Sequence, residues 1–245
     1  MKTLGLIGFG QFGRLAATIL AGHFDILAVD TAPGAQAAAR EAGVAFGSIE
    51  DAAAREVVVV AVPVPAMQGV LAAIAPHLKA GALVLDVGSV KMLPAQWMVE
   101  LLPAHVDVVA THPLFGPQSA KAGLAGLRFV VCPIRGDRHE CVAALGRSLG
   151  LTVTVTTPEE HDREMAYVQA LTHLIGRSLV NLGIPDEQLK TASYQHLLEL
   201  CALIGADTFE LFTAIQTQNP YAAEVAEAFV AQARGLLDQV RPKAD

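Results

Sequence analysis

Short runs of consecutive apolar residues alternate along the first two thirds of the chain with longer stretches in which apolar residues recur every three or four positions. The runs at 3–7, 24–29, 57–62, 83–87, 106–110, 127–132 and 151–156, with a shorter one at 44–46, have the length and Val/Leu/Ile content of strands. Most lack polar alternation, as expected of strands covered on both faces. Between them the spacing predicts helices over 14–21, 33–42, 65–76, 138–149 and from Lys91 to about 102. Such alternation predicts a doubly wound, mostly parallel sheet. From Pro158 on the pattern is helical only, over 159–182, 193–204, 207–216 and 221–240. It is broken at Gly183-Ile184-Pro185, at Gly205 and at Asn219-Pro220. The window 57–78 holds no charged residue, but Pro63, Pro65 and Gln68 interrupt it, so it reads as a strand, a turn and a helix rather than a membrane span.

One junction of strand and helix carries a motif. The first strand enters Gly8-Phe9-Gly10-Gln11-Phe12-Gly13, a helix follows, and the next strand ends on Asp30. This is a dinucleotide fingerprint in its required setting. Gly8 permits a tight turn, Gly10 lets a pyrophosphate approach the backbone, and Gly13 lets helix and strand pack closely. The helix N-terminus offers N–H groups and dipole to the phosphates. Asp30 suits a ribose diol and repels a 2′-phosphate, and Thr31-Ala32-Pro33 adds no cation, so NAD is favoured over NADP. The chain is therefore expected to be a Rossmann-type dinucleotide-binding domain over 1–156, followed by an all-helical domain over 157–245 for substrate and dimerisation.

Three further clusters could carry chemistry. A strand over 107–110 leads into Thr111-His112-Pro113-Leu114-Phe115-Gly116-Pro117. Pro113 is expected to stop the strand, leaving His112 on a stiff loop at the ligand-binding edge of the sheet. A histidine there is placed to take a proton near neutral pH, or simply to hold the loop. Ser89, after the strand at 83–87, is a helix cap or a partner of His112 or of its substrate. Lys91 is expected in the first helical turn, where a cation opposes the dipole, so it is either solvated or faces a ligand anion. In the helical region Gln169, Thr172, His173 and Gly176 fall at i, i+3, i+4 and i+7, a polar stripe on one helical face. That stripe lines a cleft or an internal hydrogen-bond network. His161, between Glu160 and Asp162, reads as a cap and solvated turn. No metal-ligand spacing, nucleophile elbow or glycosidase-like carboxylate pair is present, so no metal site is expected.

Composition narrows the setting. The net charge of −7 over 245 residues argues against a nucleic-acid partner. Apolar residues make up 53% of the chain and aromatics only 5%, so the core is built of Ala, Val and Leu. The three cysteines show no paired spacing, and the sequence runs from Met1 straight into a strand, so a reducing cytoplasm without a signal peptide is expected. The helical region carries more Leu, Ala and Phe than a small bundle needs, which points to a homodimer.

In order, the glycine loop, Asp30, the Asp86 to Lys91 stretch, the Thr111 to Pro117 stretch, 159–177 and Thr217-Gln218-Asn219-Pro220-Tyr221-Ala222 resemble the prephenate and arogenate dehydrogenases of tyrosine biosynthesis. The resemblance implies NAD-dependent oxidative decarboxylation of prephenate to 4-hydroxyphenylpyruvate. It makes His112 the group that takes the proton of the ring hydroxyl, with Ser89 assisting. It makes His173, with Gln169 and Thr172, the binding residues for a dicarboxylate substrate. The sequence departs from the family pattern at Ala214, where many bacterial members have a substrate-binding arginine. Lys91, Lys121, Arg163 and Arg177 are candidate replacements. It departs again at Cys132, where plant-type enzymes have an acid just past the strand for the substrate ammonium. That loss favours prephenate over arogenate. An arogenate dehydrogenase or a dual cyclohexadienyl dehydrogenase is the alternative, and an aminodeoxyprephenate or β-hydroxyacid dehydrogenase, or a non-catalytic NAD-binding protein, are the remoter ones.

Overall fold

The computed structural model describes residues 1–241, which divide into two compact units, the first Met1–His161 and the second from Asp162 on. The first unit is an eight-stranded sheet. Its strands are β1 (Lys2–Ile7), β2 (Phe24–Val29), β3 (Ala45–Phe46), β4 (Val57–Val60), β5 (Leu83–Asp86), β6 (Asp107–Pro113), β7 (Arg128–Arg135) and β8 (Thr152–Val155). They lie in the order β3-β2-β1-β4-β5-β6-β7-β8. All neighbours are parallel except β6 and β7, which run antiparallel. The order reverses direction between β1 and β4, which opens a crevice at their carboxyl ends.

Alternation along each strand sends side chains to two helical layers. Val58 and Val60 of β4 join a core with α3 (Ile49–Ala53), α4 (Val64–Ile74) and α5 (Met92–Leu101). Val57 and Val59 join Ala17 of α1 (Gln11–Leu20), Ala39 of α2 (Ala35–Glu41) and Val142 of α6 (His139–Ser148) on the other face. Each buried valine contributes roughly 1.5–3 kcal/mol of transfer free energy. The uncharged window at 57–78 resolves into β4, a turn and α4, and no described helix is long and apolar enough to cross a membrane. Small residues set the layer spacing. A Cβ on Gly5 would lie 2.0 Å from the Ala52 carbonyl oxygen of α3.

The second unit is helical. The second half of α7 (Pro158–Met165) leads into a π-helical turn, Ala166–Leu171, and then α8 (Thr172–Leu182), α9 (Ala192–Gly205), α10 (Phe209–Gln218) and α11 (Ala222–Val240). Thr191 and Thr208 cap α9 and α10 by accepting from the N–H groups of Tyr194 and Leu211. Of the stripe expected from Gln169 to Gly176, Gln169 lies inside the π turn and Thr172, His173 and Gly176 lie in α8. Gly176 serves packing: a Cβ there would meet Ile204 Cγ1 of α9 at 2.6 Å.

Gly5→Ala is expected to lower unfolding free energy by about 1–3 kcal/mol, because backbone stands in the way. Gly235→Ala, in α11 with nothing within 4 Å of the added Cβ, is expected to raise it by about 0.5–1 kcal/mol. Chemical denaturation of the two variants measures both signs.

Candidate active site

The glycine loop fits a dinucleotide. Gly8 has φ +99°, and a Cβ there would lie 2.4 Å from the Ala61 carbonyl oxygen. A Cβ on Gly13 would lie 2.1 Å from the Gly8 carbonyl oxygen, so this glycine seats α1 on the strand. Gly10 has nothing within 4 Å of its would-be Cβ, which leaves open space beside the backbone. It is the N-cap of α1, with no side-chain cap and no acidic residue in the first turn. The N–H groups at this end are thus available to a pyrophosphate. Gln11 is exposed and Phe12 half-buried. Phe9 differs from expectation: its ring is 1% exposed in the core, and its N–H donates to Asp30 Oδ2 at 2.5 Å. The Ala32 N–H donates to the other Asp30 oxygen at 2.7 Å, so the carboxylate is held at the end of β2.

The histidine segment differs from the sequence reading in one respect. His112 and Pro113 do not lie on a loop; β6 runs through them, with His112 opposite Val130 and Pro113 opposite Phe129 of β7. The physical reason is the direction of the missing donor. Leu114 N–H donates to Arg128 on the β7 side at 2.9 Å, so the alternate position, Pro113, points its nitrogen the other way. On that side β5 pairing ends at Asp86 opposite Ala110, and no ladder bond is lost. Phe115 then meets Phe12 of α1 with ring centroids 6.4 Å apart, which brings the segment to the glycine loop.

Beneath His112 lies a buried polar network. Asp86 and Lys91 are both 0% exposed and form an ion pair. Lys91 Nζ also donates to the Thr111 carbonyl oxygen at 2.6 Å. The N–H of Gly88 donates to Asp86 Oδ2 at 2.8 Å and that of Thr111 to Oδ1 at 3.2 Å. The Thr111 hydroxyl donates to the Asp86 carbonyl oxygen at 2.5 Å. Lys91 is thus neither solvated nor in a helical turn: it is the N-cap residue of α5, and its ammonium is committed inward. Ser89, half-buried after β5, does not cap α5, which has no side-chain cap, and forms no hydrogen bond to His112.

His112 bonds instead to a residue that the sequence reading missed. Its Nδ1 lies 2.8 Å from Nε2 of His161, and the rings meet edge-on at 64° with centroids 5.1 Å apart. The two are 4% and 2% exposed, so His161 is buried rather than in a solvated turn. The cap half of the expectation stands on Glu160. Its carboxylate accepts from Thr157 N–H, and its own N–H donates to Thr157 Oγ1 at 3.1 Å, a capping box. Burial, then His161, then Lys91 hold the His112 pKa well below 6.5, so the imidazole is neutral at physiological pH.

In the second unit His173 is 7% exposed, with Nε2 3.9 Å from Asp207 Oδ2. Burial lowers its pKa against the opposing Asp207, with Arg177 adding to the lowering. Its Nδ1 and Gln169 Oε1 are buried without a partner, while Thr172 is half-buried at the start of α8. Unsatisfied groups of this kind are costly unless a ligand or water meets them. Of the candidate cations, Arg177 donates to the carbonyl oxygens of Ile204 and Asp207 at 3.3 and 2.7 Å, and Arg163 stacks 5.3 Å over the Tyr221 ring. Lys121 is exposed in a 3-10 turn. Ala214 is buried in α10. Cys132 also departs from expectation: β7 continues to Arg135, so Cys132 is mid-strand, opposite Ala110 and 0% exposed, not at a strand end.

Known proteins match most of the chain. The prephenate dehydrogenase nucleotide-binding domain model matches residues 17–155, and the prephenate dehydrogenase dimerization domain model matches 157–244. A Methanocaldococcus jannaschii protein named "Probable arogenate/prephenate dehydrogenase" is 32% identical over 219 residues, 83% of this chain and 48% of that protein. Arogenate dehydrogenase 2 of Arabidopsis thaliana is 31% identical over 235 residues, 91% of this chain and 66% of that protein. The chain thus spans about half of the archaeal protein's length. A prephenate dehydrogenase from A. aeolicus, crystallised with hydroxyphenyl propionate and NAD+, has the same fold. Its TM-score is 0.79 at 20% identity, over 98% of this chain and 91% of that one.

Two outcomes follow for stability. Lys91→Met leaves the Asp86 carboxylate buried beside an apolar side chain, and urea unfolding is expected to show a loss of about 3–5 kcal/mol. Adding Asp86→Asn is expected to recover part of it. His112 titrates at its ordinary value of 6.5 when unfolded and well below that when folded, so the unfolded chain binds more protons as pH falls. Its contribution is full above pH 6.5 and is lost progressively below it. Stability of His112→Asn is therefore expected to fall less steeply than wild type below pH 6.5.

Proposed function

We propose that this chain, which belongs to the prephenate dehydrogenase family, catalyses NAD-linked oxidative decarboxylation of prephenate to 4-hydroxyphenylpyruvate. The observation that carries the proposal is His112, a buried neutral imidazole at the end of β6, joined to the glycine loop by the Phe12–Phe115 contact. A neutral imidazole accepts a hydrogen bond from a substrate hydroxyl and takes its proton as the carbonyl forms. NAD, held by Gly8 to Gly13 and by Asp30, supplies the hydride acceptor when bound. Gly10 leaves its phosphates room, the α1 N-terminus attracts them, and the Asp30 carboxylate favours a free ribose diol over a 2′-phosphate. Ser89 assists from the loop after β5, and the substrate carboxylates fall to His173, Gln169 and Thr172. The committed Lys91 ammonium acts through position: it fixes the backbone that carries His112.

Arogenate is the second reading, and one observation favours it. Asp207 places a carboxylate 3.9 Å from His173 Nε2, which suits a substrate ammonium. The argument from Cys132 for the keto substrate falls away, because a core strand position cannot face either side chain. The helical unit is proposed to dimerise, in keeping with the matched dimerization domain and with exposed apolar side chains such as Phe209, Leu236 and Leu237.

The test is absorbance of reduced nicotinamide on incubation with NAD and either prephenate or arogenate. Turnover of neither substrate would sink the proposal, and turnover with NADP alone would sink the role of Asp30. His112→Asn is expected to lower kcat by about 10²–10⁴-fold while NAD affinity holds. Asp207→Asn is expected to reduce kcat/KM for arogenate about tenfold more than for prephenate, a difference worth about 1.4 kcal/mol. Equal losses would remove the second reading's support.

A further inference from the structure

We propose that His161 is a positioning residue that fixes the proton of His112 on Nδ1 and so leaves Nε2 as the acceptor facing the substrate hydroxyl. The inference deepens the function proposed above and rests on it. An N–H···N bond of 2.8 Å between two imidazoles needs one donor and one acceptor. If His161 donated from Nε2, the neutral His112 ring would carry its own proton on Nε2 and could only donate there. If His112 donates from Nδ1, its Nε2 lone pair is free to accept. Only the second arrangement makes His112 a base. The edge-on ring geometry is that of an in-plane bond, not of stacking, so it also fixes the rotation of the ring.

Both halves of the pair are anchored. On the β6 side, the buried Asp86–Lys91 pair grips Thr111 through its N–H, hydroxyl and carbonyl groups. On the α7 side, the Thr157–Glu160 capping box sets the first helical turn, from which His161 projects. His161 N–H donates to the Thr157 carbonyl oxygen at 3.0 Å in the same turn. An imidazole partner differs from the carboxylate of a hydrolase triad. It orients the ring without adding a negative charge that would raise its basicity. The buried Lys91 ammonium, paired with Asp86, acts against protonation of His112. His112 is therefore a firmly oriented but weak base, suited to pass a proton onward rather than to keep it.

The variants His161→Leu and His161→Gln test this, with ¹⁵N NMR of the histidine rings as a readout independent of turnover. Wild type is expected to show His112 protonated at Nδ1 and unprotonated at Nε2. His161→Leu is expected to mix the two tautomers and to lower kcat about tenfold to a hundredfold, with KM for NAD within about twofold of wild type. His161→Gln, whose amide oxygen can accept from Nδ1, is expected to restore the single tautomer and most of kcat. A wild-type His112 protonated at Nε2, or full turnover in His161→Leu, would overturn the proposal. If His161→Leu does not fold, the wild-type tautomer and the His161→Gln turnover decide alone. Failure of wild type to turn over either substrate would sink the function instead, and the tautomer would still answer the question about His161.

Discussion

The ion pair of Asp86 and Lys91 is the constraint on which the active half of the first unit depends. Both groups have left water completely, and such a pair gains little net stability over apolar residues of equal size. What it supplies is geometry. Asp86 ends β5, Lys91 opens α5, and Thr111 lies one residue before His112 on the neighbouring strand. Three backbone segments are thereby tied to one carboxylate and one ammonium. Shifting any one of them would leave a buried charge without its partner, a cost of several kcal/mol. The imidazole inherits that rigidity through a single peptide unit.

Much of the fold was legible because its signals are local. A run such as Val57 to Val60 reads as a doubly covered strand from composition alone, and the spacing of Gly8, Gly10 and Gly13 reads as a phosphate loop. The site was legible only where one segment carried it. His161 escaped because its partner is 49 positions away and its neighbours Glu160 and Asp162 suggest solvent. Asp86 escaped for the same reason, being 25 positions from Thr111. Its one visible signal was an acid at the end of an apolar strand with a lysine five residues on.

Other local rules were applied correctly and were overridden by neighbours. Proline does remove a ladder donor, but at Pro113 the adjacent strand has already ended. A lysine in the first helical turn is unfavourable, and the chain avoids it by starting α5 one residue later. The strand expected over 127–132 stops just before Pro133. Yet β7 passes through Pro133, and the register shifts between Val108 and Val109 of β6 close to where Pro133 pairs. That misjudged end is what made Cys132 look like a substrate position.

The π turn at Ala166–Leu171 bears on how this region tolerates change in length. A π turn holds one more residue than an α turn over the same rise, so it acts as a stored insertion. Deleting one residue there would let the helix close to regular α geometry. An extra residue in a plain α-helix would rotate everything after it by about 100°, and the wider turn absorbs most of that rotation. A one-residue deletion would therefore leave His173 and Gly176 near the faces on which they now sit, against Asp207 and Ile204. The segment between Met165 and Thr172 is thus the place in this helix where losing one residue disturbs the packing least, whereas a second added residue would rotate α8 away from its partners.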